Sequence, residues 1–283
     1  DHLDSFQYWS DSPESKRLAA VCDLHNIYSL LVRRSADGMG GLRAALTRGE
    51  SRRIEAMEHR VASSGATIFA VSELEAEHYR SLGASSVVMV PNGVDCGGLQ
   101  DLPTGRSGPP VVVFVGTMSW GPNASAAEFL ITNCWPSIRQ HHADARLIII
   151  GRNPPEGLRA LGQASGVEVT GTVADLKAYL RQATLLAVPL DAGGGTRLKI
   201  LEAFAAGLPV VSTGVGAEGI EAVPGVHFDL AERPGFADAI VRLLDDGDYC
   251  QRLAAAARNL AREKYDWEGI GKTAALAISR LRG

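Results

Sequence analysis

Apolar residues along this chain gather in short, near-continuous runs, and each run is followed by a polar segment rich in helix formers. Runs at 17–22, 67–71, 86–90, 111–115, 146–150, 167–170, 185–189 and 209–212 have the length of strands. They are apolar throughout, as strands covered on both faces must be. Between them the pattern predicts helices at 42–62, 72–82, 124–140, 156–164, 174–182 and 197–206. A short late strand at 226–228 and three helices, at 233–244, 248–264 and 267–281, close the chain. Strands alternating with helices predict parallel, doubly wound sheets.

Two such units are expected. Residues 1–92 read as a partial Rossmann-like domain, 93–265 as a second one, and 266–283 as a terminal helix that packs back on the first. Residues 1–15 show no period and read as loop, and the run 101–110 (DLPTGRSGPP) reads as a linker. The chain starts at Asp1 rather than Met and in mid-domain, so the expectation is a fragment or a protein lacking its first strands. Ser72 followed by Glu75 is a capping box, and Pro136 inside the helix at 124–140 predicts a kink.

The chemistry concentrates between Leu185 and Glu218. Gly193, Gly194 and Gly195 form a loop that needs glycine's backbone freedom, Thr196 is the expected N-cap, and a helix follows from Arg197. Backbone N–H groups and a helix N-terminus then converge on one spot, which suits an anion. Arg197 and Lys199 in the first turn oppose the helix dipole unless an anion sits there. Glu202, further along, is placed to accept hydrogen bonds from sugar hydroxyls.

Composition narrows the classes. With 283 residues, 46% hydrophobic and 21% charged, the chain can build two ordinary cores. A net charge of −4 argues against a nucleic-acid partner, no apolar run reaches transmembrane length, and no secretory signal is visible. Cys22, Cys96, Cys134 and Cys250 form no CxxC pair and read as packing residues of a cytoplasmic protein. Gly214-Val215-Gly216-Ala217-Glu218-Gly219 matches a dinucleotide fingerprint, but Pro224-Gly225 interrupts the helix it needs. Gly271-Lys272-Thr273 has no preceding strand, Asp246-Gly247-Asp248 falls in a turn between helices, and His141-His142 ends a helix.

The segment GGGTRLKILEAFAAGLPVVST resembles the donor-binding segment of retaining GT-B glycosyltransferases of family 4, and more narrowly their exopolysaccharide or capsule-type branch. VVFVGTMSWGPNASAAEFL, ARLIIIGRNPP, VEVTGTVADL and VPNGVD fall in the same order and spacing, so the resemblance covers about Ser86 to Trp267 and extends weakly to DLHN near the start. It implies a hexosyltransferase that uses a nucleotide-diphosphate sugar, with no metal and no other cofactor. The acceptor would be a glycan or a lipid-linked glycan, which allows peripheral contact at the inner face of the membrane.

The resemblance also implies roles. Gly194, Gly195, Thr196 and Arg197 would hold the diphosphate and Glu202 the ribose. Gly171 and Val173 would lie against the base, and Gly116, Thr117, Gly151 and Arg152 would line the cleft at strand ends. His25 would face the transferred sugar. The first glutamate of the family's E-x7-E motif falls at Gly194, and the usual Arg and Lys after the domain's first strand are absent, so Arg197 and Lys199 are expected to supply the missing charge. The rival readings are a catalytically inactive nucleotide-sugar-binding module and a nucleotide-sugar 2-epimerase.

Overall fold

The computed structural model describes residues 3–12, 19–37, 39–100 and 108–281. The first two residues and the greater part of the expected linker, 101–107, lie outside this set, as do 17 and 18 of the first expected strand. The apolar runs become two parallel sheets. The first has the order β1 (Val21–Leu24), β2 (Thr67–Ala70), β3 (Val87–Met89). The second has six strands: β4 (Val111–Val115), β5 (Arg146–Ile150), β6 (Glu168–Val169), β7 (Leu185–Val188), β8 (Val210–Ser212) and β9 (Asp229–Leu230). Their spatial order is β6-β5-β4-β7-β8-β9. The order reverses between β4 and β7, and a crevice opens there beyond the strand ends.

The helices cover both faces of the large sheet. Its core holds the fully buried Phe114, Ile148, Ile149, Leu186 and Phe204, each worth about 1.5–3 kcal/mol when removed from water. Helix α10 (Leu198–Ala205) buries Ile200, Leu201 and Phe204, which fixes its axis and so aims its N-terminus at the crevice. A second core, with Leu24, Val61, Ile68 and Tyr79, lies around the small sheet.

Several expectations shift. Residues 3–10 are not loop: α1 (Leu3–Ser10) puts Leu3 and Phe6, one turn apart, into the small core. The first strand lies later than expected, at Val21–Leu24, and carries Asp23 inside it. The helix expected at 124–140 begins at Gly121, because Pro122 suits a first turn that needs no N–H donor. It is α6 (Gly121–Phe129), a π turn (Leu130–Cys134) and α7 (Trp135–His141). Pro136 has no N–H to give to the preceding turn, and the wider π turn takes up the mismatch. The late strand forms at Asp229–Leu230 rather than 226–228.

The terminal helix is α13 (Trp267–Arg280); Trp267 and Ile270 in its first turns lie over Gly93, and Leu276 and Ile278 are exposed. All four cysteines are free, three of them buried. No helix among the described residues is long and apolar enough to cross a membrane.

Candidate functional site

Three strand ends build one wall of the crevice. The Gly116 N–H donates to the Ile150 carbonyl at 2.9 Å, the Gly151 N–H to the Gly171 carbonyl at 3.2 Å, and the Met118 N–H to the Arg152 carbonyl at 2.8 Å. The ends of β4, β5 and β6 are thereby stitched into a continuous rim. A Cβ on Gly151, at φ +150°, would lie 1.6 Å from the Gly116 carbonyl oxygen, so this contact exists only because position 151 is glycine. Val173 is half-buried beside Gly171, and Arg152 is exposed on the rim.

The opposite wall is the loop after β7. Gly193 and Gly195 have positive φ, 136° and 72°, which lets the chain turn tightly into α10. The N-cap is Arg197, not Thr196, and no side chain caps the helix. Thr196 Oγ1 and Arg197 Nε are buried and have no hydrogen-bond partner among the described residues. Buried polar atoms without partners are costly, and here two of them adjoin open N–H groups at one helix end.

The two cations of the loop have different fates. The Arg197 side chain folds back under the loop, donating to the carbonyls of Gly194 and Val215. It is buried, and burial pulls its guanidinium below the ordinary arginine value, with Glu218 opposing. It braces the loop instead of pointing into the crevice, because bonds to two carbonyls offset a burial that would otherwise be prohibitive. Lys199 does reach the crevice. Its Nζ donates to Asn123 Oδ1 at 2.8 Å and stands 4.5 Å above the Phe114 ring. Burial pushes the ammonium down to about 7, helped by the Arg197 charge and opposed by Glu202. Burial in turn raises the Glu202 carboxyl, against the pull of Lys199.

Residues with no assigned role in the sequence complete the site. Asn123 joins both walls: besides accepting from Lys199 it donates to the Thr117 carbonyl at 3.0 Å and packs on Gly116. Trp120 overhangs Gly193. Arg233 holds the loop from behind, 2.8 Å from Asp191 and bonded to the Pro189 carbonyl.

The first sheet closes over the loop. His25 stands just past β1, half-buried and 3.4 Å from Asp23. Its neighbour Asn26 is the group that meets the loop: a Cβ on Gly195 would lie 2.6 Å from Asn26 Oδ1. From α2 (Tyr28–Asp37), Arg34 makes two bonds to Glu218, at 2.6 and 2.8 Å, and a third to the Gly193 carbonyl at 3.3 Å. The structure thus brings Gly116, Thr117, Thr196, Lys199 and Glu202 around the switch point, and places the end of β1 opposite them.

Comparison with known proteins fits this arrangement. Residues 109–246, which carry the large sheet, match the family described as Glycosyl transferases group 1. A phosphatidyl-myo-inositol mannosyltransferase of Mycobacterium leprae is 29% identical over 71% of this chain and 55% of its own length. A GDP-mannose-dependent alpha-(1-6)-phosphatidylinositol monomannoside mannosyltransferase of Mycobacterium tuberculosis is 34% identical over 52% of this chain and 42% of its own. The chain spans about half the length of the curated relatives it matches. Anabaena Alr3699/HepE, solved in complex with UDP-glucose, superposes with a TM-score of 0.74 at 18% identity, over 98% of this chain and 77% of that one. The fold is of the GT-B type.

Proposed function

We propose that the crevice between β4 and β7 binds a nucleotide-diphosphate sugar, and that the protein transfers the hexose with retention to a glycan or lipid-linked acceptor. The observation that carries this is the uncapped N-terminus of α10 behind the Gly193–Gly195 loop, with the buried, partnerless Thr196 Oγ1 beside it and Lys199 aimed at the same space. The nearest chemistry that satisfies all of these at once is a diphosphate. Relatives that act on GDP-mannose and a neighbour solved with UDP-glucose support the same class of donor.

As the bond from sugar to phosphate breaks, negative charge grows on the diphosphate. Fixed N–H donors, a helix dipole and the Lys199 ammonium meet that charge without reorganising, and no metal is required. Glu202 takes the ribose hydroxyls, and Gly171 and Val173 lie against the base. His25 and Asn26 face the sugar from the other sheet. Attack on the same face as the departing phosphate, assisted by its oxygen, gives retention. An acceptor carried on a lipid would bring the enzyme to the inner face of the membrane.

Calorimetry with UDP and GDP, followed by release of sugar from the preferred donor, tests the proposal. Expected are binding weakened at least about tenfold in Lys199→Ala, turnover that survives chelation of divalent metals, and product with the donor's anomeric configuration. Binding without turnover would identify a carrier module and end the transferase reading. Conversion of the donor to its 2-epimer would replace it, and a covalent glycosyl-enzyme adduct would overturn the same-face step.

A further inference from the structure

We infer, resting on the donor reading above, that Trp120 is the platform on which the transferred hexose stacks and a determinant of which sugar the crevice accepts. An indole left in water forgoes the gain of burial, and this one is 40% exposed at the crevice between β4 and β7. Its tip leans on the glycine loop: a Cβ on Gly193 would lie 2.7 Å from Trp120 Cη2. The backbone beneath the ring is fixed. The Trp120 N–H donates to the Thr117 carbonyl at 3.2 Å, and the Trp120 carbonyl accepts from the Asn123 N–H at 3.0 Å and the Ala124 N–H at 3.2 Å. Pro122 stiffens the helix start that follows. Only two side-chain torsions remain to be ordered, so an aromatic contact here costs little entropy.

The place of the ring identifies the sugar. Trp120 begins the helical turn that carries Asn123, and Asn123 holds the Lys199 ammonium at 2.8 Å, so indole and ammonium flank the same seat for a diphosphate. The hexose, bonded directly to the second phosphate, comes within reach of the ring. The base does not: its proposed seat at Gly171 and Val173 follows β6, two strands from β4 in the order β6-β5-β4-β7. An acceptor enters from the first sheet, whose Asn26 covers Gly195 rather than Gly193. A pyranose suits the surface. Its ring hydrogens form an apolar face that packs on the indole, and its rim hydroxyls can accept from the indole N–H. An epimer that turns a hydroxyl onto that face loses the contact, so the platform discriminates between hexoses.

The test is calorimetry on the 283-residue chain with two pairs of probes, UDP with UDP-glucose and GDP with GDP-mannose. For the pair that the parent binds, Trp120→Ala should lower affinity for the nucleotide-sugar at least about fivefold and for the nucleotide less than about twofold, and Trp120→Phe should restore most of the loss. An equal loss for both probes would make the ring a structural part of the loop. No loss for either would leave the ring without a sugar to hold. Both outcomes overturn the inference and leave the donor reading intact. A raised KM for the acceptor at unchanged donor affinity would overturn it as well, giving the ring to the acceptor. A parent that binds neither pair would overturn the donor reading and this inference together.

Discussion

Lys199 is the residue whose chemistry depends most on its surroundings. Burial over the Phe114 ring brings its ammonium down to about 7, so it loses its proton around neutrality. A diphosphate favours the charged form, and binding must therefore draw a proton in wherever the free site has lost one. The affinity for UDP or GDP should fall about tenfold between about pH 6 and 8, and calorimetry in buffers of different ionisation enthalpy should report proton uptake at the upper end. Lys199→Gln should remove the slope that Lys199 contributes; an unchanged slope would assign it to another group. Gly151 makes the opposite kind of case, one of pure geometry. Gly151→Ala drives a methyl into the Gly116 carbonyl at a positive φ, and should cost about 3 kcal/mol or more in chemical denaturation. The glycines and Lys199 are legible as a site from residue type and spacing. The turning of Arg197 onto two carbonyls is not, since residue type alone cannot say which way a long side chain folds.

Among the elements, α3 (Gly41–Ala62) shows how a buried polar group can set the orientation of a helix. Leu42 and Leu46 lie exposed, and the helix is turned inward at Glu58. That carboxylate accepts from the Ser29 N–H at 3.0 Å and the Ser29 hydroxyl at 2.6 Å, and pairs with His78 at 3.0 Å, joining α2, α3 and α4 (Glu73–Ser81). Ser51 adds a bond to the Ser29 carbonyl at 2.8 Å. Burial alone would raise the Glu58 carboxyl, but the bonds from His78 and Ser29 outweigh it and leave it below the ordinary value. A carboxylate depressed in the folded state stabilises above its unfolded pKa, and that contribution is lost as pH falls through the folded one. Stability of the small unit should therefore decline in acid below about pH 4. Glu58→Ala should cost about 3 kcal/mol in urea denaturation and flatten the acid limb. A loss under about 0.5 kcal/mol would show that the network is incidental.

For the whole molecule, the contact that matters is Arg34 with Glu218, which ties the two sheets together across the glycine loop. The pair is about one-third exposed on each side, so solvent screening holds its worth to about 1 kcal/mol. That suffices to bias an open–closed equilibrium several-fold without locking it. Arg34→Ala should increase the radius of gyration in small-angle scattering and raise KM for the donor more than it lowers kcat. Arg34→Glu with Glu218→Arg should restore the compact form. If each single variant scatters like the parent, the pair is not what holds the sheets closed.

The sequence by itself determined the alternation of strands and helices, the parallel sense of the sheets and the glycine turn into α10, because these follow from local steric and hydrophobic rules acting over a few residues. It also placed Trp120 and Asn123 in a quoted motif and His25 beside Asn26, without showing what any of them touches. Only the tertiary structure decided that Asn123 spans the crevice, that Arg197 braces while Lys199 reaches, and that α3 turns its leucines outward. Each of these depends on burial and on partners that folding brings up, from 18 residues away for Arg197 and Val215 to 76 for Lys199 and Asn123, and Arg34 meets Glu218 across a separation of 184. Desolvation and charge pairing act through space, so they exist only once the chain has closed on itself.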